Sequence, residues 1–160
     1  MDDRTVARYD GAMSDSPGGH LASHFDGDGA RNDPIVQAAG KCLRGRLDVR
    51  LALVFGSRAR GTATPTSDVD IAVSAPGIDL LDLAAELSRA TGLEVDIVDL
   101  EHAGVPLLAR IVREGVLVHE ARPGTAATWR AQALADLETD APWFVRMREA
   151  WLARVAARGI

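Results

Sequence analysis

Cysteine is almost missing from this chain of 160 residues, and its scarcity excludes sites built on sulfur. Cys42 is alone, so neither an intramolecular disulfide nor a cysteine-rich zinc site can form, and a reducing cytosol is the simplest compartment. No apolar run reaches the roughly 18 residues that a bilayer span needs, and the start, Met1-Asp2-Asp3-Arg4, lacks a charged-then-apolar leader pattern. We therefore expect a cytoplasmic protein with no membrane segment.

Positive charge is also scarce, because 18 Lys and Arg face 23 Asp and Glu and the net charge is −5. Residues 1–33 carry seven acids and three arginines, a net −4, which leaves −1 for residues 34–160. Proteins that bind nucleic acids depend on clustered cations to neutralise phosphates. We therefore expect no direct DNA or RNA partner.

Composition divides the chain into three parts. Residues 1–32 are acidic and glycine-rich with few large apolar side chains, which predicts disorder, so we assign no metal site to His20 and His24 within them. Residues 33–122 are predicted to form one folded domain, and residues 123–160 a C-terminal helical extension.

Alternating helical and strand patterns follow one another along the domain. Helices are predicted at 34–46, capped by Asp33, at 80–91, between Asp79 and Gly92, and at 105–113. Strands are predicted at 50–55, 68–74, 93–100 and 116–119. From Gly124 onward we expect two helices divided near Pro142, because proline ends or restarts a helix.

A glycine–serine pair follows the apolar strand at 50–55. Gly56 lets the backbone turn tightly and approach a ligand, and Ser57 is predicted to cap a short helix whose N-terminus would bind phosphate. Gly61 suits the left-handed residue that ends such a turn. Arg58 and Arg60, between them, could reach a phosphate or simply be solvated.

Two carboxylates follow Ser57 after ten intervening residues, in the sequence Ser67-Asp68-Val69-Asp70. Because alternate side chains of a strand share a face, Asp68 and Asp70 project together, and their mutual repulsion favours a cation between them. Mg²⁺ commonly takes one or two carboxylates together with phosphate oxygens. Asp-x-Asp alone is also typical of a solvated strand end, but next to the glycine–serine turn it predicts chemistry on a nucleoside triphosphate.

A third acid is expected from the strand at 93–100. Asp96 lies mid-strand between apolar residues, where an acid without a function would be costly, so we prefer it as the third carboxylate. Glu94 and Asp99 are the alternatives. Two-metal phosphoryl transfer needs such a cluster to hold the attacking and the leaving oxygens.

These residues resemble the polymerase-beta-like nucleotidyltransferase superfamily. The resemblance rests on Gly56-Ser57, Gly61, Ser67-Asp68, Asp70 and Asp96 and spans residues 34–120. Within the superfamily the chain is similar to the minimal nucleotidyltransferases that serve as antitoxins to HEPN-domain toxin ribonucleases. The long acidic N-terminal tail departs from that minimal pattern.

The resemblance implies an α/β (α+β) fold, a small mixed β-sheet with helices mainly on one face. It implies a protein adenylyltransferase that moves AMP from ATP to a hydroxyl, a tyrosine of the partner HEPN toxin. By position, Asp68, Asp70 and Asp96 would be the catalytic and metal-binding residues for two Mg²⁺ ions, with Asp96 assisting deprotonation of the hydroxyl. Gly56, Ser57 and Ser67 would bind the nucleotide.

Two other functions remain open at this point. Trp143, Phe144 and Trp151, together with the arginines around them, suit a contact surface, which would fit an antitoxin that acts by binding alone. The same aromatics could equally pack on the domain itself. A small-molecule nucleotidyltransferase, such as one that modifies an antibiotic, would usually need a further domain to hold its acceptor.

Overall fold

A computed structural model describes residues 28–158 of the chain. They form α1 (Asp28–Arg31), α2 (Pro34–Leu43), β1 (Leu51–Phe55), α3 (Gly56–Ala59), β2 (Val69–Ser74), α4 (Leu80–Thr91), β3 (Val95–Asp99), α5 (Val105–Glu114), β4 (Val116–Glu120) and α6 (Thr125–Arg158), with a short 3-10 helix, Leu100–His102, between β3 and α5. The elements predicted between residues 34 and 120 are present, and their largest end shift is that of α2, which stops at Leu43 instead of residue 46. Of the predicted tail, residues 1–27, including His20 and His24, lie outside the described part of the chain. Its last residues form the short helix α1, so ordered structure begins before Asp33.

Three local signals place the helix ends as the sequence predicts. The side chain of Asp33 accepts the amide of Ile35 at the start of α2, and Asp79 accepts the amide of Leu81 at the start of α4. Gly92 ends α4 in the left-handed conformation, with φ of 73°.

The four strands form one mixed sheet in the order β3-β2-β1-β4. β1 is antiparallel to both β2 and β4, whereas β2 and β3 are parallel because α4 crosses between them. The α/β fold class with a small mixed sheet is therefore confirmed.

The helices cover both faces of this sheet instead of mainly one. One core cluster joins Val54 and Ile71 of the sheet to α2 and α4, and the other joins Leu53 and Ala72 to Ile111 of α5 and to the start of α6. Both faces can bury helices because β1 is apolar at every position and so presents hydrophobic side chains to either side.

The C-terminal extension is a single helix, α6, instead of the two helices predicted from Pro142. Proline removes one backbone donor and frees the carbonyl of Glu138 four residues earlier. Because Glu138 and its neighbours on this part of α6 are exposed, water can satisfy that carbonyl and the helix continues. Within residues 28–158, α6 included, the structure contains no helix whose length and apolarity would let it traverse a bilayer.

Candidate nucleotide and metal site

The turn after β1 brings the backbone against a carboxylate. Gly56 has φ of +73°, a conformation that disfavours any side chain. A Cβ atom built on Gly56 would overlap with the Oδ2 atom of Asp70 and lie 3.2 Å from Nη2 of Arg110. Only glycine therefore fits here, and its absent side chain lets the turn approach the Asp70 carboxylate.

Ser57 does not cap the short helix as the sequence predicts. The helix α3 begins one residue earlier, at Gly56, with Phe55 as a cap that makes no side-chain bond. Ser57 therefore lies inside the first turn, and its carbonyl accepts the amide of Thr62 at 2.9 Å. In the part of the chain that the structure describes, the Ser57 hydroxyl has no hydrogen-bond partner and is available to a ligand.

The sheet register brings two of the three predicted carboxylates side by side. In β2, Asp70 lies opposite Phe55 of β1 and opposite Asp96 of β3. Residues that are paired across strands point to the same face, so Asp70 and Asp96 share the face that α5 covers. Asp68 lies two residues earlier, just before β2, and is exposed.

Negative charge accumulates around Asp70. Burial raises the pKa of Asp70, and the carboxylates of Asp96 and Asp68 raise it further, whereas Arg110 and Arg60 lower it. Neighbouring carboxylates of this kind form a donor set that fits a hard cation such as Mg²⁺. Over residues 28–158, however, no three acidic, histidine or cysteine side chains already stand together as a metal cluster.

Asp99, one alternative third acid, is engaged elsewhere. It pairs with Val73, which belongs to the opposite core, and therefore faces away from Asp70. Its carboxylate accepts the amide of Glu101 at 3.0 Å and lies 2.7 Å from Nδ1 of His102, and this contact lowers the pKa of Asp99. Glu94, the other alternative, is exposed and precedes β3.

Arg58 is neither solvated nor directed at a substrate. It is buried, with a 3.1 Å ion pair to Asp33 and a 2.8 Å hydrogen bond to the carbonyl of Ser67. Arg58 thus ties α3 to the start of α2 and to the residue before Asp68. The sequence offers no sign of this role, because Asp33 and Ser67 are distant in the chain.

Ser67 uses its hydroxyl inside its own loop. Its Oγ atom accepts the amide of Thr64 at 2.9 Å and lies 2.9 Å from Oγ1 of the same threonine. These bonds shape the turn that leads into Asp68. The assignment of Ser67 to nucleotide binding stays a prediction.

Sequence reasoning missed a cluster of charges on α5. Glu114 accepts hydrogen bonds from Arg60 at 2.6 Å, from Arg113 at 3.0 Å and from Arg110 at 3.4 Å. Arg110 also lies over the Phe55 ring, 5.4 Å from its centroid. The spacing Arg110-x-x-x-Glu114 was the available signal, but it is typical of any solvated helix face.

Comparison with known proteins agrees with the sequence resemblance. A family model described as Polymerase beta, Nucleotidyltransferase matches residues 38–123. The protein adenylyltransferase MntA of Shewanella oneidensis is 39% identical over 82 residues, which cover 47% of this chain and 58% of that relative. The MntA protein of Thermococcus cleftensis is 38% identical over 90 residues, 54% of this chain and 91% of that relative. The match thus spans a little over half of the Shewanella protein and nearly all of the Thermococcus one.

A solved structure supports the same conclusion. A chain in a crystal structure of a toxin–antitoxin with AMP-PNP is 26% identical and superposes with a TM-score of 0.60, over 76% of this chain and 98% of that one. The family model covers more than half of the sequence, including β1, the glycine–serine turn and all three predicted carboxylates. The chain belongs to the Polymerase beta nucleotidyltransferase family.

Proposed function

We propose that this protein is an antitoxin that transfers AMP from ATP to a hydroxyl, a tyrosine, of a cognate HEPN toxin ribonuclease. The observation that carries the proposal is the approach of Gly56 to Asp70, because the backbone of that turn, lying next to Asp70 and Asp96, would be able to bind phosphate there. Relatives named protein adenylyltransferase and a similar toxin–antitoxin chain solved with an ATP analogue support it.

The reaction breaks the anhydride bond between the α- and β-phosphates of ATP and forms a phosphate ester with the acceptor hydroxyl. The acceptor oxygen bonds to the α-phosphorus, the bond from that phosphorus to the bridging oxygen breaks, and pyrophosphate leaves with the electron pair. Asp96 takes the proton of the acceptor hydroxyl, and Gly56 with Ser57 holds the β- and γ-phosphates. Asp68, Asp70 and Asp96 would hold Mg²⁺, two ions in the full set, and the metal would supply positive charge that stabilises the developing negative charge of the reaction.

The far half of α6 supplies a surface for the toxin. In the near half, Ala126, Trp129 and Ala133 pack on the domain. Five helical turns, or about 18 residues, further on, Phe144, Met147 and Trp151 occupy the same face. Trp151 is 55% exposed and Trp143, beside this face, is 56% exposed.

An exposed continuation of a buried stripe is typical of a protein contact. We therefore propose the stripe Trp143, Phe144, Met147 and Trp151 as the contact with the toxin. In this division residues 33–122 contain the catalytic site and residues 123–160 bind the partner. The reaction then belongs in the cytoplasm, where ATP and the RNA substrates of a ribonuclease are found.

Intact-mass spectrometry of the toxin tests the proposal. Substoichiometric protein with ATP and Mg²⁺ should add whole AMP increments to every toxin molecule and abolish its ribonuclease activity, because an enzyme turns over. The double variant Asp68→Asn/Asp70→Asn should add none. A toxin that stays unmodified and is inhibited only by an equimolar amount of this protein would contradict AMP transfer.

That contradictory result would favour the second candidate, an antitoxin that acts by binding alone. The exposed aromatics of α6 are the observation in its favour. A catalytically silent binder would have no need for Asp70 and Asp96 to be in register. We therefore favour the enzyme.

A further inference from the structure

Glu114 on α5 forms ion pairs with three arginines beside the proposed nucleotide site. Glu114, only 11% exposed, bonds through Oε2 to Arg60 and Arg110 and through Oε1 to Arg113. Burial raises the pKa of Glu114, but the hydrogen bonds from Arg113 and Arg60 outweigh burial and lower it, so the carboxylate stays charged. The net charge of this cluster of four side chains is positive.

The guanidinium of Arg110 is held in place through its Nε atom, while its two terminal nitrogens remain available. Its Nε atom bonds to Glu114 and its guanidinium lies over the Phe55 ring, which fixes the plane of the group. Among the described residues, neither terminal nitrogen of Arg110 has a hydrogen-bond acceptor. The two terminal N–H₂ groups are therefore oriented and unused.

These free donors face the site. Nη2 of Arg110 lies 3.2 Å from the place of a Cβ on Gly56, at the turn where the triphosphate would sit. Oδ2 of Asp70 lies at the same turn, because a Cβ on Gly56 would overlap with it, so Arg110 and Asp70 approach the turn together. Arg113 is different, because it approaches Glu114 on the other oxygen and is 72% exposed.

A nucleotide brings several negative charges to a place where the carboxylates of Asp70 and Asp96 already lie side by side. Cations must offset this repulsion, and a guanidinium fork matches two phosphate oxygens in geometry as well as in charge. A purely structural arginine would not need a free terminal edge at the glycine turn.

We propose that Arg110 binds the β- and γ-phosphates of the nucleotide, and that Glu114 is a positioning residue that aims Arg110 and holds Arg60 nearby. This inference rests on the proposed function, because it assigns a further substrate-binding residue to the same site. It predicts that Arg110 matters only for nucleotides that carry the β- and γ-phosphates.

Calorimetric titration with two nucleotides, at constant salt and Mg²⁺, tests this. The probes are AMP and an ATP analogue with a methylene group between the α- and β-phosphorus, which cannot transfer AMP. Arg110→Gln should weaken the binding of the analogue about tenfold or more, since a charge-assisted hydrogen bond is lost. The affinity for AMP should stay within about twofold of the wild-type value. Glu114→Gln should lower the ratio of analogue affinity to AMP affinity by a smaller factor than Arg110→Gln does. Arg110→Lys should lower this ratio by an intermediate factor.

Arg113→Gln is the matched control, because it removes the same charge from the same helix and the same carboxylate. Its ratio of analogue to AMP affinity should equal that of the wild type. Because the readout is a ratio within each variant, a general loss of folded protein cancels. Equal ratios in Arg110→Gln and Arg113→Gln would overturn the role of Arg110 and leave AMP transfer intact. A wild-type protein that binds neither nucleotide would overturn the proposed function and this inference together.

Discussion

Glu114 shows how one residue can serve both stability and the site. Its largely buried carboxylate receives hydrogen bonds from Arg60, Arg110 and Arg113, and these bonds outweigh burial so that its pKa is lowered. The unfolded chain therefore binds a proton at this group at a higher pH than the folded chain does. The stability contributed by Glu114 is fully present above its ordinary pKa of 4.5 and is lost as the pH falls through the lowered value.

Glu114→Gln should therefore destabilise the protein in a pH-dependent way. At pH 7 we expect the free energy of unfolding to fall by about 2 kcal/mol, because charge-assisted hydrogen bonds to a largely buried carboxylate are lost. The difference between wild type and variant should begin to shrink as the pH falls below 4.5, where the unfolded chain takes up the proton, and should disappear once the folded carboxyl, with its lowered pKa, is protonated too. Urea denaturation at a series of pH values measures both effects.

The exposed Glu138 on α6 offers the control for this experiment. Glu138→Gln removes the same charge outside any ion pair of the described residues, so its unfolding free energy should match that of the wild type at every pH. A Glu114→Gln difference that stayed constant from pH 7 down to pH 3 would assign the effect to packing instead of charge.

Single residues divide into those that the sequence could place and those that it could not. Asp33, Asp79 and Gly92 act on neighbours within a few positions, so their roles as caps were predicted correctly. Arg58 and Arg110 act on partners far away in the chain, Asp33 and Phe55 respectively. Only the folded sheet brings such groups together, and local spacing carries no trace of it.

At the scale of elements, α6 is the part that sequence reasoning divided wrongly. Pro142 predicts a break, yet the helix runs through it, because the surrounding residues are exposed and water can satisfy the carbonyl that proline leaves free. Because α6 is continuous, the exposed stripe in its C-terminal half stays aligned with the buried face of its N-terminal half. This continuity keeps Met147 in line with Trp129, and Trp151 in line with Ala133, five turns apart.

Replacing Trp143 and Trp151 with serine should weaken the toxin complex without harming the domain. Loss of two aromatic anchors should raise the dissociation constant at least about thirtyfold, since central aromatics carry most of an interface's binding energy. The melting temperature should not change, because both side chains are mostly exposed. Surface plasmon resonance with immobilised toxin and a thermal melt measure the two quantities.

Val145→Ser/Leu152→Ser is the matched control on the same half of α6. Both side chains are exposed to a similar degree, but about 100° of rotation per residue places them away from the stripe. This control should bind the toxin within about twofold of the wild type. Equal losses in the two double variants would show that general apolarity, and not the stripe, holds the partner.

On the scale of the whole molecule, the folding core and the site occupy different parts of one sheet. Among the described residues no acidic residue is fully buried, and Asp68 and Asp96 are exposed while Asp70 is only half-buried. The order of elements could be predicted, but the register that sets Asp96 beside Asp70 could not, because alternation along a strand does not determine how that strand pairs with its neighbour. Helices on both faces could not, since an all-apolar β1 indicates burial without indicating what covers each side.

This separation predicts that the carboxylates can be removed without cost to folding. In Asp68→Asn/Asp70→Asn, AMP transfer to the toxin should drop to background, because the cation-binding charge is gone. The free energy of unfolding, measured in EDTA, should stay the same or rise by up to about 2 kcal/mol, since burial and the neighbouring acids already disfavour the charged form of Asp70.

Asp140→Asn, an exposed change on α6, supplies the control and should alter neither transfer nor stability. A fall in the melting temperature of the double variant would mean that these carboxylates hold the fold together through contacts of their own. Full transfer activity in the double variant would show that the metal site lies at other residues. Loss of activity in a protein that is equally or more stable is the result that a site adapted to ligand binding should give, because charges grouped for a cation and a triphosphate repel one another when neither is bound.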